Sequence, residues 1–119
     1  MKKNILLLLT LIAFGHIALA QTWTNVHTYE EFITYYNNGT TRLRLTDDIT
    51  LPSYWVVNRG GIVGLDLNGH TLQRTGLTSA SSNGHVIEVY SSNTLIIVDN
   101  STEKGGTLTG GWANNGGGI

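Results

Sequence analysis

The run Val63-Gly-Leu-Asp-Leu-Asn-Gly-His-Thr-Leu72 and its looser echo, Leu95-Ile-Ile-Val-Asp-Asn-Ser101, constrain this chain more than any other feature. After a polar insert the echo continues as Gly106-Thr-Leu-Thr-Gly-Gly111. Each reads as a short aliphatic strand, a turn built on Asp, Asn and Gly, then a second short strand. One such unit cannot bury its own apolar face. Repetition with Val63 and Leu95 standing 32 residues apart therefore predicts units stacked into a solenoid. Asn68 and Asn100 share that offset, which predicts their amides stacked in a ladder along one corner.

The strands between these landmarks are short. Leu43 and Leu45 alternate with Arg42, Arg44 and Thr46; Asp47-Asp48 turns; Ile49-Thr50-Leu51 alternates again before Pro52. Val56-Val57 is a brief apolar pair, and Asn58-Arg59-Gly60-Gly61 turns once more. Residues 73 to 85 are polar and rich in Ser and Gly, and read as a projecting loop. Ile87 and Val89 resume the alternation. Strands this short, separated by tight turns, favour stacked parallel coils over a sandwich, whose strands average about five to six residues.

One helix is well signalled. Thr28 and Glu31 make a capping-box pair, and Tyr29, Phe32, Ile33 and Tyr36 fall on one apolar stripe. Asn37-Asn38-Gly39 closes it with residues that tolerate left-handed backbone angles. A lone amphipathic helix before a run of strands is expected to cover the open end of the sheet structure.

The first twenty residues read as a separate segment. Lys2 and Lys3 precede an aliphatic run from Ile5 to Phe14, and Ala18-Leu19-Ala20 fits a small-x-small cleavage site. This is the layout of a secretory signal peptide cut between Ala20 and Gln21, and the run is short of the ~20 residues a spanning helix needs. The organisation expected is thus signal peptide 1–20, a segment with the cap helix at 21–40, and strands from 41 to 119. The mature chain is expected outside the cell, secreted or surface-held, with no stable membrane span. Its charge moves from −1 to −3 once Lys2 and Lys3 are lost, leaving five basic residues against eight acidic. Such a surface has no clustered cations for nucleic acid. With no Cys, neither disulfides nor thiolate zinc sites are available.

The order of leader, short amphipathic helix, "LTDDITL", "LDLNGHTL", "LIIVDNS" and "GTLTGG…NGGGI" resembles the N-terminal coils of exported bacterial right-handed parallel β-helix proteins of the pectin-lyase-like superfamily, surface or adhesin-like members above all. The resemblance covers roughly residues 23 to 119. It implies an all-β right-handed parallel β-helix of about three coils with an N-terminal cap helix. Because members usually run for many more coils, it also implies that this chain is the front end of a longer protein, with an open end suited to end-to-end self-association.

Chemistry is less legible than architecture. Asp47, Asp48, Asp66, Glu88 and Asp99 are the carboxylates on offer to an acid-base pair. Each has a structural reading: Asp47-Asp48 and Asp99 in turns, and Asp66 facing outward between Leu65 and Leu67. Calcium at Asp47-Asp48 is an unspecific option. The superfamily's lyases use clustered Asp ligands with an Arg or Lys base, and no such cluster can be matched here residue by residue. His27, His70 and His85 lack metal-ligand spacing. The Gly-Gly pairs at 60, 105 and 110 make no phosphate loop, and no Gly-x-Ser-x-Gly elbow occurs.

Trp23, Trp55 and Trp112, with Tyr54 and Tyr90, could stack on sugars, although cap packing for Trp23 and a corner position for Trp112 are the plainer reading. Asn38-Gly-Thr40 and Asn100-Ser-Thr102 match glycosylation sequons, discounted for a bacterial leader. No catalytic, cofactor-binding or metal-ligating residue is assigned, and no cofactor is expected. The function expected is a non-catalytic exported scaffold binding a glycan or a host or cell-surface ligand. The alternatives are the N-terminal part of a polysaccharide lyase or glycoside hydrolase whose catalytic coils are absent, and a small self-contained carbohydrate-binding β-domain.

Overall fold

The computed structural model describes residues 22–115 and 117–119. The proposed leader and its cleavage site lie outside them. Nine strands and one helix follow in the order β1 (Thr24–Val26), α1 (Tyr29–Asn37), β2 (Arg42–Leu45), β3 (Ile49–Leu51), β4 (Trp55–Val57), β5 (Gly61–Asp66), β6 (Thr71–Arg74), β7 (Ile87–Val89), β8 (Asn93–Val98) and β9 (Thr107–Thr109). They form three small sheets, all parallel: β1-β2-β5-β8, β3-β6-β9 and β4-β7. No described helix is long and apolar enough to cross a membrane.

The expectation of an all-β solenoid of about three coils is corrected: no solenoid is detected among the described residues, which form small parallel sheets with one short helix. No repeat of fixed length is present among the described residues: Thr24 pairs with Leu43, Leu43 with Leu65 and Leu65 with Ile97, so successive partners stand 19, 22 and 32 residues apart. In the three-stranded sheet Ile49 pairs with Leu72 and Leu72 with Leu108, offsets of 23 and 36. The interval of 32 seen in the sequence belongs to the β5-β8 and β4-β7 pairings alone. Nor is the fold all-β, since the helix supplies part of the core. The structure is a set of small parallel sheets with one short helix.

Alternation places the core. In β2, Leu43 and Leu45 point inward while Arg42 and Arg44 point out; in β5, Val63 and Leu65 point inward. Ile49, Leu51, Trp55, Val57, Leu72 and Ile87 come from the other two sheets, and all these side chains join one buried cluster. The parallel pairing also sets Leu65 opposite Ile97, which packs partly buried against that cluster.

The helix is held at both ends. The Thr28 hydroxyl accepts from Glu31 N at 3.2 Å, while the Glu31 carboxylate reaches back to His27 N at 2.8 Å. At the other end Gly39 takes φ +100°, and Gly39 N and Thr40 N donate to the carbonyls of Tyr36 and Tyr35, a Schellman closure. Asn38 keeps a right-handed φ of −81°, so glycine alone bears the left-handed turn. The last turn of the helix carries no basic side chain. Arg59, from the turn after β4, fills that role by donating to the carbonyls of Tyr36 and Asn37 at the negative end of the helix dipole.

The stripe read from the sequence is the buried one. Phe32 and Tyr36 are buried, Tyr29 and Ile33 pack beside them, and both buried rings meet Trp55 edge-on at 4.9 and 5.2 Å. The Tyr36 hydroxyl accepts from Asn58 N at 3.0 Å. Phe32→Ala would leave a cavity against Trp55 and is expected to cost about 3–5 kcal/mol, measured by urea denaturation of the whole chain.

Candidate functional site

The outward face of the four-stranded sheet holds what chemistry this protein displays. Register sets its rows. Arg42 lies opposite Gly64 and Gly64 opposite Ile96; one rung on, Arg44 lies opposite Asp66 and Asp66 opposite Val98. Ile62 and Thr94 form the rung before. Trp23 immediately precedes β1, whose Thr24 pairs with Leu43, so the indole starts from the Arg42 row.

In the Asp66 rung, a carboxylate points away from the apolar core and yet is fully buried. Arg44 Nε donates to Oδ2 at 2.8 Å and Asn100 Nδ2 to the same oxygen at 3.0 Å. Asn68 N and Asn100 N donate to Oδ1 at 3.0 and 2.9 Å. Burial by itself would raise the carboxyl's pKa, but the Asn100 backbone bond, Arg44, the Asn100 amide and Asn68 N outweigh it and hold the group below its ordinary value. The surface position expected for Asp66 is therefore corrected: the face is as expected, but Arg44 and Asn100 close over it. The expected amide ladder is corrected too. Asn100 binds Asp66, and Asn68 Nδ2 donates to the Leu45 carbonyl at 3.0 Å.

In the Gly64 rung, the absence of a side chain makes a hollow that the indole fills. A Cβ on Gly64 would sit 3.2 Å from two atoms of the Trp23 ring. The ring lies within cation-π range of both arginines, 5.3 Å from the Arg42 guanidinium carbon and 5.6 Å from that of Arg44. Trp23 is thus on the sheet face and not in the helix packing. Beside it opens a groove of ≈ 270 Å³ lined by Trp23, Thr41, Arg42, Ile62, Ile96 and Val98. Ile62 is 61% exposed and Ile96 47%, unusual for isoleucines that no neighbour covers.

The other candidates serve the fold. Asp99 accepts from Ser101 Oγ at 2.6 Å, from Gly106 N at 2.7 Å and from the amides of Gly69 and Ser101, which pulls its pKa to about 2. Asp48 accepts from Thr71 N at 2.8 Å and lies 3.5 Å from His70; Asp47 lies 3.4 Å from His27. His85 and Glu88 approach to 3.8 Å. Among the described residues no three His, Cys, Asp or Glu side chains are grouped as a metal would need. Trp55 is buried in the core, while Trp112 and Tyr90 are exposed singly. Asn100 of the second sequon is engaged at Asp66, and Asn38 of the first caps the helix.

No family model, curated protein or solved structure matches this chain.

Sequence reasoning missed the groove. Its signal was parity: in a parallel register Arg42, Gly64 and Ile96 all fall on outward positions, and only the pairing shows that they share a rung. The acidic limb of stability follows from the carboxylates. Both Asp66 and Asp99 have lowered pKa values, so their contribution is complete above the unfolded value near 3.8 and is lost as pH falls through the folded value. Melting temperature is expected to drop between about pH 4 and pH 2, and Asp99→Asn is expected to flatten that drop. Asp66→Asn turns an amide donor toward Arg44 and Asn100 and is expected to cost about 2–4 kcal/mol at neutral pH.

Proposed function

We propose that this protein is a non-catalytic exported scaffold, secreted or held at the cell surface, that binds a glycan or another surface ligand through the groove beside Trp23. The observation that carries the reading is the combination on one sheet face: an indole fixed over Gly64, two exposed isoleucines and a guanidinium at the groove wall. Binding sites are concave, mostly apolar and furnished with few polar groups, which is the make-up of this groove. The leader-like first twenty residues support export, since Lys2-Lys3, the aliphatic run and Ala18-Leu19-Ala20 occur in the order of a signal peptide.

A scaffold role also accounts for the carboxylates. Asp48, Asp66 and Asp99 spend their oxygens on backbone amides and neighbouring side chains that hold turns and strands together. Their positions serve the register of the sheets, and the groove contains none of them.

Two measurements test this. Full-length protein expressed with its leader is expected in the medium or at the cell surface with an N-terminus at Gln21; retention in the cytoplasm with Met1 intact would overturn export. On a glycan array and on whole cells, Trp23→Ala is expected to lose at least tenfold in binding while Trp112→Ala binds as the parent does. Equal loss in both variants, or in neither, removes the groove as the binding element.

A further inference from the structure

The groove beside Trp23 has an electrostatic property that narrows its ligand. Five Lys and Arg residues lie among the described positions, and four of them spend their donors on the fold. Arg44 binds Asp66, Arg59 the helix carbonyls of Tyr36 and Asn37, Arg74 the carbonyls of Asn83 and His85, and Lys104 the Asp99 carbonyl at 2.6 Å. Among the described residues Arg42 alone has no carboxylate or carbonyl partner for its guanidinium; its one charged-group contact is with the face of Trp23. No carboxylate lines the groove, so Arg42 is the only charge there.

Register separates the two arginines of Arg42-Leu-Arg44. Arg44 faces Asp66 across the strand pair and is neutralised, whereas Arg42 faces Gly64, which has no side chain to answer it. The Trp23 indole lies within cation-π range of both guanidinium groups. A guanidinium that no described carboxylate or carbonyl answers is a site for an anion, positioned by packing before any ligand arrives.

The remaining lining is aliphatic and aromatic. The side chains of Ile62, Ile96 and Val98 offer no hydrogen bond to a sugar's hydroxyls, and the Thr41 hydroxyl and the Trp23 indole N–H are the uncharged polar groups among the described lining side chains. The volume, ≈ 270 Å³, lies at the small end for a ligand site. Resting on the reading of this groove as a ligand site, we propose that it takes a small amphiphilic anion: a carboxylate held by Arg42, on an aliphatic or aromatic body lying along Trp23, Ile62 and Ile96.

Octanoate, octan-1-ol, octylamine and the neutral disaccharide cellobiose are the probes. They are titrated into the ¹⁵N-labelled full chain as exported, with the indole N–H of Trp23 assigned from a Trp23→Phe variant. Octanoate is expected to shift that resonance saturably, octan-1-ol to bind about fivefold more weakly or worse, and octylamine not to bind, the size expected for one partly exposed ion pair. Arg42→Gln, at an outward-facing position, is expected to reduce octanoate to the level of octan-1-ol without moving the melting temperature. Gly64→Val, which pushes the indole off its seat, is expected to weaken both.

Equal affinity for octanoate and octan-1-ol, or octanoate binding unchanged by Arg42→Gln, overturns the proposal. A saturable response to cellobiose with none to octanoate overturns the ligand class and leaves the groove as a binding site. No response to any probe, together with surface binding undiminished in Trp23→Ala, overturns both.

Discussion

The buried carboxylate of Asp66 fixes the register on which the rest of this structure depends. It sits on β5, the only strand of the four-stranded sheet to pair with both β2 and β8, and it bonds outward in both directions: to Arg44 on one side and to Asn100 beyond the other. A slip by one residue would send Leu65 outward and strand Asp66 in the apolar core, where an unpaired charge is far more costly than any gain. A slip by two residues would keep the inward parity of the apolar side chains but break the bonds to Asp66. The polar knot permits one register.

Two consequences follow from that register, on opposite faces. Inward, it sets Val63 opposite Leu95 and Leu65 between Leu43 and Ile97, so that the core is layered strand on strand. Outward, it sets Gly64 between Arg42 and Ile96, opening the space the indole occupies. Both faces are products of a single alignment. Arg42, Ile62, Ile96 and Val98 of the groove stand on strands, while Trp23 and Thr41 immediately precede β1 and β2.

How far the sequence revealed this depended on range. The helix was legible because its signals are local: a cap at Thr28, a stripe through Phe32 and Tyr36, a glycine at 39. Individual strands were legible by alternation, and Leu43, Leu45, Leu65 and Leu72 were inward as their parity required. The architecture was not. The spacing of 32 between Val63 and Leu95 is a true pairing, but extending it to a repeat failed because a helix lies between β1 and β2 and a long loop between β6 and β7. Asp66 was legible in its direction and not in its burial, because Asn100 reaches it from 34 residues away. Arg59 at the helix end and Trp23 over Gly64 are likewise meetings of distant residues.

The same dependence on pairing explains why residue type alone could not assign the aromatic and basic side chains their roles. Trp55 follows Tyr54 into a strand whose inward positions face the helix, and it becomes the hub of an aromatic cluster. Trp23 has the same side chain, but it precedes a strand at the sheet's margin and finds a hollow only because position 64, two strands away, is glycine. Arg42 and Arg44 share a strand and a face, yet one is neutralised and the other is left open by what stands opposite. The buried ion pair and the groove therefore occupy adjacent rungs. Asp66 is held by the fold's own donors, Arg42 faces a position without a side chain, and at Gly64 an added Cβ would come within 3.2 Å of the indole.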